Sequence, residues 1–454
     1  MTYQNFMVNE EEGLSDARLF EIISTFQTTD LPILKKLKNY YDGRQDIIYK
    51  APVDEGRPDN RLVVNYCKMI TDNYNGYMMG KKVSFTGENV EKIQEVLDYN
   101  DIHETLTEYL RQALIYGRAF LINYIDKDGQ QRVQVLDSRD CIPVYDDTIE
   151  HSLLYVIRCW EDTSYGNLAT SIKYKVEVYG PDETRYYNAT AGFNTYELTS
   201  VKEHHYEQCP ITVFSLNRDE TGVFQPILSL QDAVNEALSS EIDNFSDFAD
   251  AYLVLTGMEA TDEEGLADMK RHRCILLSGD GTSNASFLTK NVADTQIENI
   301  LTNLNTKIYS IAQCPDFSDP QVFGSATSGI ALKFKLMNFE DACSNIESEM
   351  RKAIQRMIEL IVTILHLTNE EETWRDIQII FRRNLPTDMT ELLNIVNSLR
   401  GIVSTETLLG QIPFIDSPAE ELEKLKAEND ILQLYNFEDH HPEEEGSTEE
   451  DNEV

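Results

Sequence analysis

The chain has 454 residues, 41% of them hydrophobic, and its formal net charge is −40. Its length lets it bury a large core and predicts a globular protein of more than one domain. The charge argues against an ordinary nucleic-acid binder, because such proteins neutralise phosphates with basic side chains.

The chain also lacks the signals of a membrane or secreted protein. No apolar run reaches transmembrane length, and the acidic N-terminus lacks the basic start and apolar middle of a secretory signal. The cysteines are odd in number and never form a Cys-x-x-Cys pair. We therefore expect reduced thiols in a cytoplasmic setting, most of them filling the core.

Helical periodicity dominates the first part of the chain. Ser15 is placed to cap a first helix, and a second helix is predicted from near Asp30, with Pro32 in its first turn. The polar segment 44–60 is typical of a long loop. Two further helices are predicted over about 62–80 and over 101–116, the second ending at Gly117. The tyrosines of the first could suggest base stacking, but their helical periodicity favours core packing.

The pattern changes to short alternating runs from 118 to 216. A run at 120–125, a turn at 126–129 and a second run at 133–136 predict a β-hairpin. Further strands are predicted at 153–159, 172–179, 184–187 and 211–216.

Two amphipathic helices then flank a short insert. Pro226 opens the first helix, and the second spans about 293–313. Between them the sequence predicts strands at 252–257 and 274–278 around a charged helix. This order suggests a helical stalk with a compact head.

The last third begins with a break rich in proline and glycine at 314–329. A very long helix is predicted over about 330–368, then a strand at 377–382 and further helices over 388–434. The final residues, 438–454, carry nine acids and no Lys or Arg, which predicts disorder. The whole chain is therefore expected to have an α+β fold.

Two stretches carry a family resemblance. The first lies within 40–80 and includes Gly56–Tyr66 and Thr71–Tyr77; the second includes Pro315–Asp319 and Ser328–Leu336. Together they resemble the portal proteins of tailed bacteriophages that infect Gram-positive bacteria.

The resemblance implies a ring, typically of twelve subunits, at one vertex of the capsid. Double-stranded DNA would pass through its axis during packaging and ejection, without sequence-specific binding. The implied partners are the large terminase subunit, head–tail adaptor proteins, the scaffold and the major capsid protein. The protein would reside in the virion, and in the host cytoplasm during assembly, with no cofactor, membrane or enzymatic activity.

The resemblance also implies a division of the chain into regions. These are the first part of the wing (1–225), a stem helix (226–250), the clip (251–292), a second stem helix (293–313), the tunnel loop (314–332), the long helix and return to the wing (333–384), the crown (385–437) and the acidic tail (438–454).

Candidate site residues follow from this division. The small or polar loop residues expected to face DNA are Gln321, Ser325, Thr327 and Ser328. Lys333 and Lys335 are candidates for weak phosphate contacts, although their spacing lets at most one point inward. Lys270, Arg271 and Arg273 are candidates for docking the terminase or neck. Solvent-facing or intersubunit charges remain the alternative for all five cations.

The negative charge leaves two interpretations open. It keeps a protein soluble through self-repulsion, and it also suits a channel that must not hold phosphates tightly. One alternative function is another capsid or neck component without a channel. A second is a metal-dependent nuclease that uses Asp137, Asp140, Asp146 and Asp147.

Two other kinds of site are weakly supported. His204, His205 and Cys209 resemble part of a metal site but lack an obvious fourth ligand. No Walker-type phosphate loop is present, so the packaging motor would be a partner.

Overall fold

A computed structural model describes residues 3–52, 58–87, 90–162, 173–249, 252–256, 284–288, 294–318, 329–365, 374–384 and 389–410, with 412, 415, 418 and 421–428. The chain divides into two compact units, Met1–Arg383 and Asn384–Val454. Among the described residues, no helix is both long and apolar enough to cross a bilayer.

Helices and strands both contribute to the first unit, as the sequence predicts. Its helices are α1 (Asp16–Tyr41), α2 (Tyr66–Met79), α3 (Val90–Tyr99), α4 (Ile102–Tyr116), α5 (Leu228–Ala249), α6 (Asp294–Ile311) and α7 (Gly329–Leu365), with short 3₁₀ turns at Asp46–Tyr49 and Gln225–Ile227. In the second unit, the described helices include α8 (Met389–Leu399) and α9 (Thr405–Leu409).

The prediction of two helices around Asp30 is wrong, because α1 runs unbroken through Pro32. A proline inside a helix costs about 3 kcal/mol through a lost hydrogen bond and a steric clash. Leu34 and Leu37, beyond the proline, are fully buried on the same side as the first half of the helix. Burying two leucines contributes about 3–6 kcal/mol, which offsets that cost.

The strands of the first unit form two main sheets and two separate strand pairs, β2 with β13 and β11 with β12. The strands are β1 (Phe6–Val8), β2 (Ser84–Thr86), β3 (Arg118–Ile125), β4 (Gln131–Leu136), β5 (Cys141–Asp146), β6 (Leu153–Glu161), β7 (Lys173–Tyr179), β8 (Glu183–Thr190), β9 (Tyr196–Glu203), β10 (Ile211–Ser215), β11 (Tyr252–Thr256), β12 (Asn284–Leu288) and β13 (Gln378–Ile380). The larger sheet has the order β1-β5-β6-β7-β8-β9, and the smaller has the order β10-β3-β4.

The pairing in these sheets is antiparallel except between β1 and β5. The predicted hairpin corresponds to β3 and β4, with Phe120 opposite Leu136. One buried cluster joins the two sheets, and it includes Phe120, Cys141, Val156 and Ile211. α7 packs against β10 and β3.

The predicted end of a helix at Gly117 is confirmed, and the turn there contacts the segment that leads into α5. Gly117 has a left-handed φ of 82°. A Cβ at this position would lie 1.9 Å from the carbonyl oxygen of Glu220. Leu216 donates to the Gly117 carbonyl, and Val223 donates to that of Leu114. These contacts hold the segment that leads into α5 against the end of α4.

Gly117→Ala is therefore expected to lower the free energy of unfolding by about 3 kcal/mol, since it adds a backbone clash to left-handed strain. Gly129→Ala is the matched control, because Gly129 also has a left-handed φ of 76° but no atom within 4 Å of the added Cβ. It should cost only about 1 kcal/mol. Urea denaturation of both variants at one protein concentration measures the difference, and equal costs would contradict the clash.

Candidate functional site

Most of the predicted loop and clip sites lie outside the described residues. These are Gln321, Ser325, Thr327 and Ser328 in the loop, and Lys270, Arg271 and Arg273 in the insert. The strand predicted at 252–257 is confirmed as β11, which pairs antiparallel with β12. β12 was not predicted, and the strand predicted at 274–278 lies outside the described residues.

Lys333 and Lys335 are described, and both are exposed near the start of α7. Two positions apart on a helix differ by about 200°, so these lysines point to different sides, as predicted. Phe334 between them is 70% exposed, and Met337 one turn later is exposed as well. The start of α7 therefore presents large apolar side chains beside its two cations.

The two predicted stem helices, α5 and α6, pack against each other. Ile308 on α6 is fully buried, and Tyr66 of α2 packs edge-on against Tyr309. The predicted apolar stripe is only partly covered within the chain, because several of its members stay exposed. We call these members the exposed stem residues: Ile242, Phe245, Ile300 and Ile311.

The tyrosines of α2 are packed as the sequence predicts. Tyr74 and Tyr77 are buried, and their ring centroids lie 4.7 and 4.8 Å from that of Phe339 on α7. The Tyr74 hydroxyl donates to the carbonyl of Ala312 at 2.9 Å. α2 thus ties the end of α6 to α7 and does not present these rings for base stacking.

α5 carries five acids and no Lys or Arg. Asp232 accepts a hydrogen bond from the Tyr40 hydroxyl at 2.7 Å, and Glu236 forms an ion pair with Lys50. Asp243 accepts from Asn60. Three of the five acids therefore hold α5 to the N-terminal part of the chain.

An extended segment, 60–66, lies along α5 and is bonded to it at every second residue. We call this set of four bonds the polar ladder. The donors are the backbone N–H groups of Asn60, Leu62, Val64 and Tyr66, and the respective acceptors are side-chain oxygens of Asp243, Ser239, Asn235 and Gln231, at 2.8, 2.9, 3.0 and 3.1 Å.

The polar ladder works because two repeats match in length. Two residues of extended chain advance about 6.6 Å, and four residues of helix advance about 6.0 Å. Alternate N–H groups therefore meet helix side chains spaced four residues apart. The prediction that the α2 helix begins near 62 is wrong for this reason: it begins at Tyr66, and Asn65 caps it by accepting from the Lys68 N–H.

The ladder is buried and continues into α1. Gln231 and Asn235 are fully buried, and the Gln231 amide also donates to the Val64 carbonyl at 2.6 Å. The Asn235 amide donates to the side chain of Gln45, which in turn donates to the Tyr40 carbonyl at 3.4 Å. Buried polar groups with partners at each atom fix one register between segments. These bonds fix the packing of α5 against the N-terminal helices, and they involve no catalytic group.

Comparison with known proteins identifies the family. The family described as phage portal protein, SPP1 Gp6-like, matches residues 21–433. The chain belongs to this phage portal protein family. The portal protein of Bacillus phage SPP1 is 24% identical over 416 residues, which cover 87% of this chain and 80% of that protein. The portal protein of Clostridium phage phiCD119 is 26% identical over 428 residues, covering 87% and 92%.

The chain is also similar to a solved structure, the neck of an empty GTA particle computed with C6 symmetry. It covers 76% of this portal chain and 88% of its own, at 12% identity and a TM-score of 0.37.

Family membership confirms the predicted resemblance and the function it names. Portal proteins are structural components of the phage particle and not enzymes, so the nuclease alternative is not favoured. The chain is thus a virion component.

Three of the four aspartates of the nuclease alternative bond to neighbouring groups in this portal chain. Arg139 donates to both carboxylate oxygens of Asp137. Asp146 accepts from the Thr148 N–H and hydroxyl, and Asp147 from Asn9. Across the described residues, no group of three or more His, Cys, Asp or Glu could hold a metal ion.

Two residues of the partial metal site suggested by the sequence, His204 and Cys209, instead bond to nearby backbone carbonyls. His204 contacts the Gly180 carbonyl through Nε2 at 3.1 Å. The Cys209 thiol donates to the Tyr179 carbonyl at 3.5 Å. The six cysteines in the described part of the chain are all buried free thiols, as expected.

Asp140 predicts a pH-dependent stability. Burial, and then repulsion from Asp137, raise the pKa of Asp140 to about 6. Because the folded-state pKa is raised, the contribution of Asp140 to the free energy of unfolding is fully present below the unfolded-state pKa of about 4. It is lost as the pH rises through about 6. Asp140→Asn should therefore stabilise the protein by about 2 kcal/mol at pH 7.5 and have little effect at pH 4.

Asp137→Asn is the matched control with the opposite sign. Burial alone would raise the pKa of Asp137, but the hydrogen bonds from Arg139 outweigh it and lower the pKa. The ionised form therefore stabilises the fold above the unfolded pKa, and the variant should lose stability at pH 7.5. Melting temperatures at both pH values measure this, and a destabilised Asp140→Asn at pH 7.5 would refute the assignment.

Proposed function

We propose that this portal protein assembles into a ring, of twelve subunits as the family resemblance implies, around a channel for double-stranded DNA. The observation that carries the proposal is the set of large apolar side chains left exposed on α5, α6 and α7. Phe245 is 75% exposed and Phe334 is 70% exposed. Helices that bury only part of an apolar stripe within one chain have the remainder available for a neighbouring subunit.

In a ring, these exposed apolar residues would form the contacts between neighbouring subunits. In a ring, one surface of each subunit docks on a different surface of the next, so two distinct apolar areas are needed. The exposed stem residues on α5 and α6 supply one area, and Phe334 with Met337 on α7 supplies the other.

The remaining regions are assigned in the same proposal. Residues 1–225 and 333–384 form the wing, 226–250 and 293–313 the stem, 251–292 the clip, 314–332 the tunnel loop, 385–437 the crown and 438–454 a disordered tail. The clip docks the terminase and then head–tail adaptor proteins, through Lys270, Arg271 and Arg273. The scaffold and the major capsid protein contact the ring during assembly, which takes place in the host cytoplasm.

The channel is proposed to pass DNA without holding it. An acidic protein avoids the release of counterions that makes phosphate binding tight. Transient contacts come from Gln321, Ser325, Thr327 and Ser328, with one of Lys333 and Lys335 facing the DNA.

Negative-stain electron microscopy with light scattering tests the assembly. Rings with a central hole, and a mass near twelve times 52.1 kDa, are the expected result. A monomer that persists across salt concentrations and in the presence of scaffold would overturn the proposal.

A further inference from the structure

One side of α7, near its start, combines large apolar side chains with two charges. Phe334 is 70% exposed and Met337 is 52% exposed, and Lys333 and Asp341 are exposed as well. Since successive residues of a helix are about 100° apart, these four side chains share one sector of α7, opposite the buried Phe339. We call this sector the α7 face.

The two charges of the α7 face are not used within the subunit. Glu340, on the same helix, accepts a hydrogen bond from Arg383 at 2.7 Å. Lys333 and Asp341, in contrast, have no ion-pair partner in the described part of the chain. They are separated by about 12 Å along the helix axis. The α7 face therefore presents a cation and an anion beside its apolar centre.

The two stem helices also carry one charge of each sign beside the exposed stem residues. Glu241 on α5 is four residues before Phe245, and Lys307 on α6 is four residues before Ile311. Residues four apart share a helix face, so each charge lies beside an exposed apolar side chain. Neither charge has an ion-pair partner among the described residues. We call these two charges, with the exposed stem residues, the stem face.

The charges of the stem face lie towards opposite ends of the stem. α5 leads into β11, and β12 leads into α6. These strands pair antiparallel, so the two helices run in opposite directions. Glu241 lies in the half of α5 next to the strand pair, whereas Lys307 lies in the half of α6 farther from it. Opposite charges are therefore matched at both ends if the α7 face lies along the stem with Lys333 towards β11.

A second copy of the chain is the partner that these two faces select. Within one subunit they belong to elements with different neighbours, because α5 packs on α6 while α7 packs on β3 and β10. A closed ring needs two different, complementary surfaces on every subunit. The α7 face and the stem face are both apolar, and their charges are of opposite sign in the matched orientation. Such complementarity also suppresses wrong docking, because like charges in contact are unfavourable.

We propose that the α7 face of each subunit docks on the stem face of the next, with Lys333 paired to Glu241 and Asp341 paired to Lys307. This inference rests on the ring arrangement proposed above and names the surfaces that form it. The exposed aromatic and aliphatic side chains of both faces pack between the two ion pairs. Lys335, about 200° around α7 from Lys333, is then the lysine that faces the DNA.

Charge reversal tests the pair of Lys333 with Glu241. Lys333→Glu and Glu241→Lys each place like charges across every interface, so each variant alone should associate about 100-fold more weakly than the parent. The double variant restores opposite charges and should form rings. Lys127→Glu is the matched control, because it changes the net charge as Lys333→Glu does, but in the exposed turn between β3 and β4. Light scattering at one protein concentration measures assembly.

A mixture of the two single variants separates a pair between subunits from a pair within one subunit. In an even-numbered ring that alternates them, every interface again holds one cation and one anion. The equimolar mixture should therefore assemble, although neither variant does so alone. No rescue in the mixture, or single variants that assemble as well as Lys127→Glu, would overturn this docking while the ring itself stands. A parent that forms no rings would overturn the proposed function and the docking together.

Discussion

The double variant Phe245→Ser/Phe334→Ser is expected to lose ring assembly while keeping its folded subunit. Both side chains are mostly exposed in the single chain, so their removal leaves no cavity. If each is buried against a neighbour, each contributes about 1.5–3 kcal/mol to an interface. The double variant would lose about 3–6 kcal/mol per interface, which weakens subunit association by about 10²- to 10⁴-fold.

Ile149→Ser is the matched control for this experiment. Ile149 is fully exposed, at 102%, in the turn between β5 and β6, and it belongs to none of the helices proposed to form the stem. It removes a large apolar side chain without touching the proposed interface. Light scattering should show ring-sized particles for this control and subunits for the double variant. Rings of unchanged mass in the double variant at the same protein concentration would contradict the proposed interface.

The long helices could be predicted because their apolar period persists over many turns. The predicted span of about 330–368 matches α7 closely, and the two flanking helices of the insert match α5 and α6. The hairpin of β3 and β4 was predicted because Asp126–Gly129 provides a turn between two alternating runs. In each case the signal is local and needs no knowledge of the partner segment.

Elements that depend on distant partners were missed. β5 contains Pro143, which argues against a strand with neighbours on both sides. The structure accommodates it because β1 pairs only with Val144 to Asp146, so Pro143 lies beyond the end of β1. The polar ladder was missed because its donors and acceptors are more than 160 residues apart. The available signal was the spacing of Gln231, Asn235, Ser239 and Asp243 at every fourth position of a helix otherwise assigned by its apolar residues.

The candidate site was predictable to a different extent. Family membership followed from short motifs, one of which, Gly56–Tyr66, overlaps the ladder segment. The packing of the α2 tyrosines followed from helical period. The exposure of Phe245 and Phe334 could not be predicted, since an apolar stripe looks the same in sequence whether its partner is the same chain or a neighbouring one.

Asn235→Leu is expected to cost about 4 kcal/mol of unfolding free energy, the largest loss of any single substitution in the ladder. Leucine has a similar volume but neither accepts nor donates. The change leaves the Val64 N–H and the Gln45 Oε1 without these partners, and it removes one of the two hydrogen bonds that the Gln231 amide donates. Each unpaired buried group costs about 1–3 kcal/mol.

Two other ladder variants grade this effect. Ser239→Ala removes one acceptor, for the Leu62 N–H, and should cost about 1–2 kcal/mol. Asp243→Asn keeps an oxygen for the Asn60 N–H and should be nearly neutral. Urea denaturation at a single protein concentration ranks the three, because subunit association shifts apparent stability by mass action.

Hydrogen exchange separates the ladder from a general loss of stability. In Asn235→Leu, the Val64 amide should exchange faster than amides in β3, whose ladder bonds the substitution does not touch. Uniform acceleration throughout the first unit would mean that Asn235 acts only through global stability. A variant as stable as the parent would show that the register between α5 and segment 60–66 is set by apolar packing instead. Faster exchange confined to the ladder would show that its hydrogen bonds hold the proposed stem to the N-terminal helices. Movement of the stem would then be transmitted to those helices through the ladder.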